Sequence, residues 1–360
     1  MSHLFAPLKL RSVTLPNRIG IPPMCQYSAH DGFAADWHFV HYGSRAVGGA
    51  GLIIVEATAV VPEGRISRGD LGLWNDAQIE PLVRLAAFMQ AHGSVPAIQL
   101  GHAGRKAGVG LGWEAQRSLP DEAGGWMPLA PSALSFGEGY RTPEALDAAG
   151  IADLVRHFAA SARRAREAGF QAVEIHAAHG YLLHQFLSPL ANQRSDAYGG
   201  SFENRTRLVR EVVTAVRAEW PEALPLLIRL SATDWIDGGW NVEETVELCR
   251  WLRTAGVDLV DVSSGGLSPA AVIPAGPGFQ TGFAARVRAE AGIATAAVGL
   301  ITSAQQADHI VRSGQADLVL VGREILRQPQ WPLAAAQALG VATSWPAQYL
   351  RAAPAGSVGR

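Results

Sequence analysis

The chain has 360 residues, 48% hydrophobic and 17% charged, with a formal net charge of −2. That is ample material for a large core, and the near-neutral charge gives no support for a nucleic-acid or anionic-membrane partner. No apolar run reaches membrane-spanning length, no secretory signal opens the chain, and two cysteines, Cys25 and Cys249, are too few for a disulfide framework, so a cytoplasmic setting is expected.

In chain order, short apolar runs recur at 19–22, 51–56, 95–100, 171–176, 224–229, 258–263, 295–298 and 317–321, each followed by a helical pattern. They are mostly Val, Ile and Leu without polar alternation, as in parallel strands covered on both faces. Eight such units predict an α/β chain folded as a single (β/α)8 TIM barrel over residues 1–360. A doubly wound open sheet is the competing fold, but no G-x-G-x-x-G follows the first run.

The first run leads into Pro22-Pro23-Met24-Cys25-Gln26-Tyr27. His38 and His41 then fall at helical spacing and are read as packing or capping groups, since no cysteine or carboxylate joins them in sequence. The second run ends in Glu56-Ala57-Thr58, the third in Gln99-Leu100-Gly101-His102-Ala103-Gly104-Arg105-Lys106. Residues 107–141 form a long Gly- and Pro-rich connection with Trp113 and Trp126, expected to be a packed lid rather than a linker. Lys106 is read as a brace for that lid, narrowly ahead of a solvated charge.

Thr142-Pro143 predicts a helix start, with a restart at Ala149 as the alternative. Glu174-Ile175-His176-Ala177-Ala178-His179-Gly180-Tyr181 is the most informative stretch, a buried strand running into a loop. Two imidazoles and a phenol leave one strand end within six residues, a set suited to polarising a carbonyl and protonating a carbon. Metal ligation or satisfied core histidines remain open on the H-x-x-H spacing alone. Arg229 closes a strongly apolar run and should enter the barrel mouth, where it needs an anion or a cluster of acceptors. Asn241 with Glu244, and Thr302 with Gln305, resemble capping boxes, and Gly169, Gly256 and Gly314 resemble helix stops. Cys249 reads as inert packing. Gly299 and Gly322-Arg323 follow the seventh and eighth runs, the usual phosphate-binding corner of such a barrel. The irregular tail, about 343–360, carries Trp345, Tyr349 and Arg351.

Together these motifs resemble the old yellow enzyme family of flavin-dependent ene-reductases, in particular its bacterial subgroup of xenobiotic reductases and thermophilic-like enzymes. The residues that carry the resemblance are 22–27, Gln99 with 102–107, 176–181, 184–189, 196–201, Glu203-Asn204-Arg205, Arg229-Leu230-Ser231-Ala232 and Val321-Gly322-Arg323-Glu324. The match runs from about Leu4 to about Arg351, and the lid is the part least like the family. The resemblance implies non-covalent FMN, with Pro23, Met24, Cys25, Ala57, Gln99 and Arg229 on its ring and Gly299, Gly322 and Arg323 on its phosphate. It implies His176 and His179 on the substrate oxygen, Tyr181 as proton donor, and Tyr27 as a substrate contact. It implies NADPH as hydride donor, enones and related activated alkenes as substrates, ping-pong turnover and no metal. It also implies a homodimer or dimer-based tetramer, with Arg351 bordering a neighbouring subunit's site. Two other readings stand beside it: another FMN barrel enzyme such as an α-hydroxy-acid oxidase, and a non-catalytic flavin-binding protein.

Overall fold

Eight parallel strands close into a barrel in the computed structural model, which describes residues 2–359. A hairpin of β1 (Leu8–Leu10) and β2 (Val13–Leu15) precedes the first barrel strand, β3 (Ile19–Ile21). There follow α1 (Asp36–Val47), β4 (Leu52–Ala59), α2 (Ile79–Ala91), β5 (Val95–Gly101), the short pair β6 (Leu129–Ala130) and β7 (Glu144–Ala145), α3 (Ala148–Glu167) and β8 (Ala172–Ala177). The second half runs α4 (Leu182–Leu187), α5 (Phe202–Glu219), β9 (Leu226–Ser231), α6 (Val242–Thr254), β10 (Leu259–Ser263), α7 (Thr281–Ala291), β11 (Ala294–Val298), α8 (Ala304–Arg312), β12 (Leu318–Leu320), α9 (Arg323–Arg327) and α10 (Trp331–Ala338). The barrel order is β3-β4-β5-β8-β9-β10-β11-β12, and β12 pairs back onto β3. Each of the eight apolar runs is one barrel strand.

The alternation of the strands sorts side chains into two cores. Ile53, Val55, Ile98, Leu100, Val173, Ile175, Ile228, Leu230, Val260 and Val262 face outward and pack against the helices. Leu52, Ile54, Val95, Ala97, Ala172, Leu227, Leu259, Ala296, Leu318 and Leu320 face inward. Leu10, Val13 and Leu15 of the hairpin join that inner cluster, so the hairpin plugs the amino-terminal end of the barrel. The opposite end is left for chemistry.

Several local expectations need correction. Thr142-Pro143 starts no helix: Glu144 and Ala145 pair with Leu129 and Ala130, and α3 begins after Asp147, whose carboxylate accepts from Gly150 N. The cap of α8 is Ser303, accepting from Gln306 N, one residue beyond Thr302. Asn241 does cap α6 by accepting from Glu244 N, but the Glu244 carboxylate pairs with Arg205 instead of closing the box. Gly169, Gly256 and Gly314 all adopt positive φ just past helix ends, as expected. Cys249 is fully buried in the outer core. His38 and His41 pack on α1, but His38 does meet a carboxylate: its Nε2 lies 3.6 Å from Glu56 Oε1. An irregularity between Val55 and Ala57 turns Glu56 out of the barrel, where it accepts from Tyr42 Oη and Gln26 N. This network anchors the 22–27 segment from behind.

Candidate active site

Two residues above the apolar inner layer, the alternation that buries Ala97, Ala172, Leu227 and Leu259 brings Gln99, Glu174, Arg229 and Asp261 inside. The layer is self-paired. Arg229 Nε lies 2.8 Å from Asp261 Oδ2, and Gln99 Nε2 donates to Glu174 Oε1 at 2.8 Å. The anion that Arg229 was expected to seek is therefore already supplied in part by the fold. Burial pushes the Glu174 and Asp261 carboxyls upward, Glu174 further because of Asp261, while Arg229 opposes both shifts. Neither Nη of Arg229 donates to a described residue, so the guanidinium keeps donors for a ligand. With Gln99, one amide N–H is committed to Glu174, so its ligand-facing capacity is smaller than a free amide's.

One step further along the strands stand His176, Ser231 and Ser263. His176 and Tyr181 rings meet edge to face at 4.9 Å, and His176 and His179 at 5.3 Å. His176 Nδ1 accepts from Ala178 N, and His179 Nε2 lies 2.7 Å from Ser263 Oγ. Each imidazole is thus held by one nitrogen and leaves the other free. Burial, then the Arg229 charge, lowers the pKa of both rings well below the usual histidine value, so both are neutral at pH 7. Burial raises the Tyr181 phenol well above its ordinary range, so it keeps its proton.

The turn carrying these groups is strained and heavily braced. His179 has φ 57° and Gly180 φ 70°. His179 N donates to Ser231 Oγ, and Gly180 N donates to His184 Nδ1. His184 Nε2 lies 2.9 Å from Asp234 Oδ1, and Asp234 also accepts from Ser188 Oγ and Trp240 N. A Cβ on Gly180 would fall 2.2 Å from Gly266 O, and one on Gly266 2.6 Å from His179 Cα, so both must be glycine. Lys106 staples this close approach: its Nζ donates to His179 O and Gly266 O.

Lys106 is a half-buried brace, hydrogen-bonded to this turn and touching the lid only through Phe136. Its ammonium sits 4.9 Å from the Tyr181 ring centroid and 4.6 Å from that of Phe136 in the 107–141 segment. Burial and Arg105 lower its pKa to about 8. The same segment packs through Trp126, whose Nε1 donates to Glu63 O, while Trp113 is 69% exposed with its edge toward Tyr27.

The remaining sequence candidates fall on adjoining cavities. Pro23, Met24, Arg229, Gly299, Gly322 and Arg323 line one of about 300 Å³. Ala57, His176 and Tyr181 share another with Asp70 and His102, and Cys25 and Tyr27 line a third beside Trp37 and Trp113. The N–H groups of Gly322 and Arg323 stand at the open end of α9 and donate to no described residue. An anion is what such donors, beside the Arg323 guanidinium, accept best. Among the described residues no group of three or more His, Cys, Asp or Glu is placed to hold a metal ion.

Residues 3–341 match the model of the NADH:flavin oxidoreductase / NADH oxidase family, which is built around FMN. The chain belongs to this family, that of the old yellow enzymes. An NADPH dehydrogenase of Bacillus licheniformis is 50% identical over 351 residues, covering 97% of this chain and 98% of the relative. Morphinone reductase in complex with tetrahydroNAD superposes with a TM-score of 0.77 at 31% identity, covering 99% of this chain and 94% of that one. The old yellow enzyme homologue from Zymomonas mobilis does so at 0.78 and 25%, covering 98% and 99%.

As an old yellow enzyme the chain uses FMN, and its residues fit that group. The unpaired N–H groups at Gly322 and Arg323 suit a phosphate, and the free Nη donors of Arg229 suit the electron-rich edge of a flavin ring. Cys25 is held as a thiol. Burial, Asp70 and Glu56 raise its thiol well above the usual range, so the reactive thiolate is suppressed. Arg351 lies exposed in the 3-10 turn Ala347–Ala352 and lines none of these three cavities.

Sequence reading gave Ser231 no role and missed Ser263, Asp234 and Asp261. The carboxyl end of the sixth run, 258–263, was the available signal for Asp261 and Ser263: in a barrel every strand end contributes to the mouth.

Proposed function

We propose that this old yellow enzyme reduces the carbon–carbon double bond of α,β-unsaturated carbonyl compounds, with NADPH as electron donor and the two substrates using one site in turn. The observation that carries the reading is the pair of neutral imidazoles, each anchored by one nitrogen with the other open, beside a phenol that keeps its proton. Pro23, Met24, Cys25, Ala57, Gln99 and Arg229 hold the flavin ring, and Gly299, Gly322 and Arg323 its phosphate. When bound, FMN supplies the hydride chemistry, accepting from NADPH and delivering to the alkene carbon β to the carbonyl.

The chain's own residues do the rest. His176 and His179 donate hydrogen bonds to the carbonyl oxygen, and these strengthen as enolate charge builds, which lowers the barrier. Being neutral, the rings polarise the oxygen without transferring a proton to it. Tyr181 Oη gives its proton to the α-carbon. Tyr27 borders the substrate on the side of Trp113. An α-hydroxy-acid oxidase would need an arginine pair free for a carboxylate. Here the free Nη donors of Arg229 face the flavin ring rather than a substrate carboxylate, and Arg105 is spent on Leu267 O, Leu134 O and Ser135 O, so no such pair is free. The purified protein should be yellow, bleach with NADPH under argon, and recover its colour with 2-cyclohexenone. Recovery with oxygen but never with the enone would sink the proposal.

The tail supports an assembly of dimers. Trp345 and Tyr349 line an apolar groove on the outer face with Phe39, Val40, Phe88 and Leu333. Arg351 projects from the same turn and serves no cavity of its own chain's site, which suits a role bordering a partner's. Truncation after Trp345 should weaken substrate binding and destabilise the dimer. Unchanged kinetics with an unchanged sedimentation coefficient would rule the shared site out.

A further inference from the structure

The two imidazoles of the site are held in different ways. His176 Nδ1 receives a backbone N–H, from Ala178 at 3.2 Å. A backbone amide can only donate, so Nδ1 must be bare and Nε2 must carry the ring proton. His179 is held through Nε2 by a hydroxyl, Ser263 Oγ at 2.7 Å. A hydroxyl can donate or accept, so this contact alone leaves the tautomer undetermined.

The surroundings of Ser263 decide it. Its single proton has two acceptors within reach, His179 Nε2 at 2.7 Å and Gln280 Oε1 at 3.4 Å. Gln280 is oriented from the far side, where its Nε2 donates to Val298 O at 2.9 Å, which turns Oε1 toward the serines. That oxygen already has a short donor in Ser264 Oγ, at 2.6 Å. An amide oxygen can accept a second hydrogen bond, so distance is the deciding observation: the Ser263 proton takes the contact at 2.7 Å over the one at 3.4 Å. The histidine backbone is fixed independently: His179 N donates to Ser231 Oγ, which donates in turn to Gly265 O. The ring therefore does not escape the serine by shifting its main chain.

We infer that Ser263, with Gln280 and Ser264 behind it, is a positioning residue that sets the tautomer of His179, donating to Nε2 so that Nδ1–H is the free donor. Nδ1 makes no bond to a described residue. The substrate oxygen then meets two N–H groups, Nε2–H of His176 and Nδ1–H of His179. Were the Ser263 proton turned to Gln280, Nε2 would have to donate to the serine and Nδ1 would present a lone pair to a developing oxyanion. This inference rests on the reading of His179 as a donor to the substrate oxygen.

The test is 15N NMR of the FMN-loaded enzyme with labelled histidine, the His179 signals assigned by their loss in His179→Gln. We expect a protonated Nδ1 and an unprotonated, hydrogen-bonded Nε2. Ser263→Ala should move the proton toward Nε2 and slow alkene reduction roughly tenfold or more, short of the full loss of a donor. Ser263→Thr should restore both tautomer and rate. A wild-type His179 protonated on Nε2 overturns the inference even if no Ser263 variant folds. So does Ser263→Ala with unchanged tautomer. Alkene reduction indifferent to His179→Ala would instead refute the donor role of the ring, while leaving the tautomer assignment standing.

Discussion

Replacing either His176 or His179 by alanine should slow alkene reduction by roughly 100- to 1000-fold, the usual loss when one donor aimed at a developing oxyanion is removed. The reason lies in preorganisation. Both rings are neutral, both are clamped at one nitrogen, and the His179 turn is fixed by Ser231, by His184 through Gly180, and by Lys106. Little of the donor geometry has to be assembled during the reaction. FMN should remain bound in either variant, because the groups proposed to hold it, the N–H donors at Gly322 and Arg323 and the free guanidinium nitrogens of Arg229, are untouched. The checks are the flavin-to-protein ratio by absorbance and single-turnover oxidation of the reduced enzyme by an enone. Loss of activity to a chelator with recovery on added zinc would show that the histidines are metal ligands instead.

Tyr181→Phe separates the two half-reactions. On the proposed mechanism the phenol is needed only when a carbon is protonated, so flavin reduction by NADPH should stay near its normal rate. Alkene reduction should fall by roughly 100- to 10,000-fold, the range for a positioned general acid. Burial keeps the Tyr181 proton in place, and the ring is wedged between His176 and the Lys106 ammonium, so the phenylalanine ring should occupy the same space. Stopped-flow measurement of each half-reaction decides the matter. Equal slowing of both would assign Tyr181 to binding rather than proton transfer.

The sequence carried the barrel and most of the mouth. Short Val, Ile and Leu runs without polar alternation read as strands covered on both faces, and eight of them separated by helical patterns, with no G-x-G-x-x-G after the first, favour a barrel over an open sheet. Once the barrel is accepted, the strand ends name His176, Arg229, Gly299 and Gly322 without any three-dimensional information. Chain neighbours of those ends, such as His179, Tyr181 and Lys106, follow because they are only a few residues away.

What only the tertiary structure decided is pairing between distant strands. Asp261 reads in sequence as one of two acids in the run 258–263, and its place 2.8 Å from Arg229 exists only because β9 and β10 lie side by side in that register. Glu56 looks like a strand-end acid at the mouth, yet an irregularity in β4 turns it outward to His38 and Tyr42. Ser263 is one small polar residue among several, and its bearing on His179 requires β8 and β10 to reach the same height at the rim, with Gln280 behind. Periodicity along the chain records which face a side chain takes, because that is a local consequence of strand geometry. It does not record register between strands, which is set by the closure of the whole barrel and decides which charges and which protons meet.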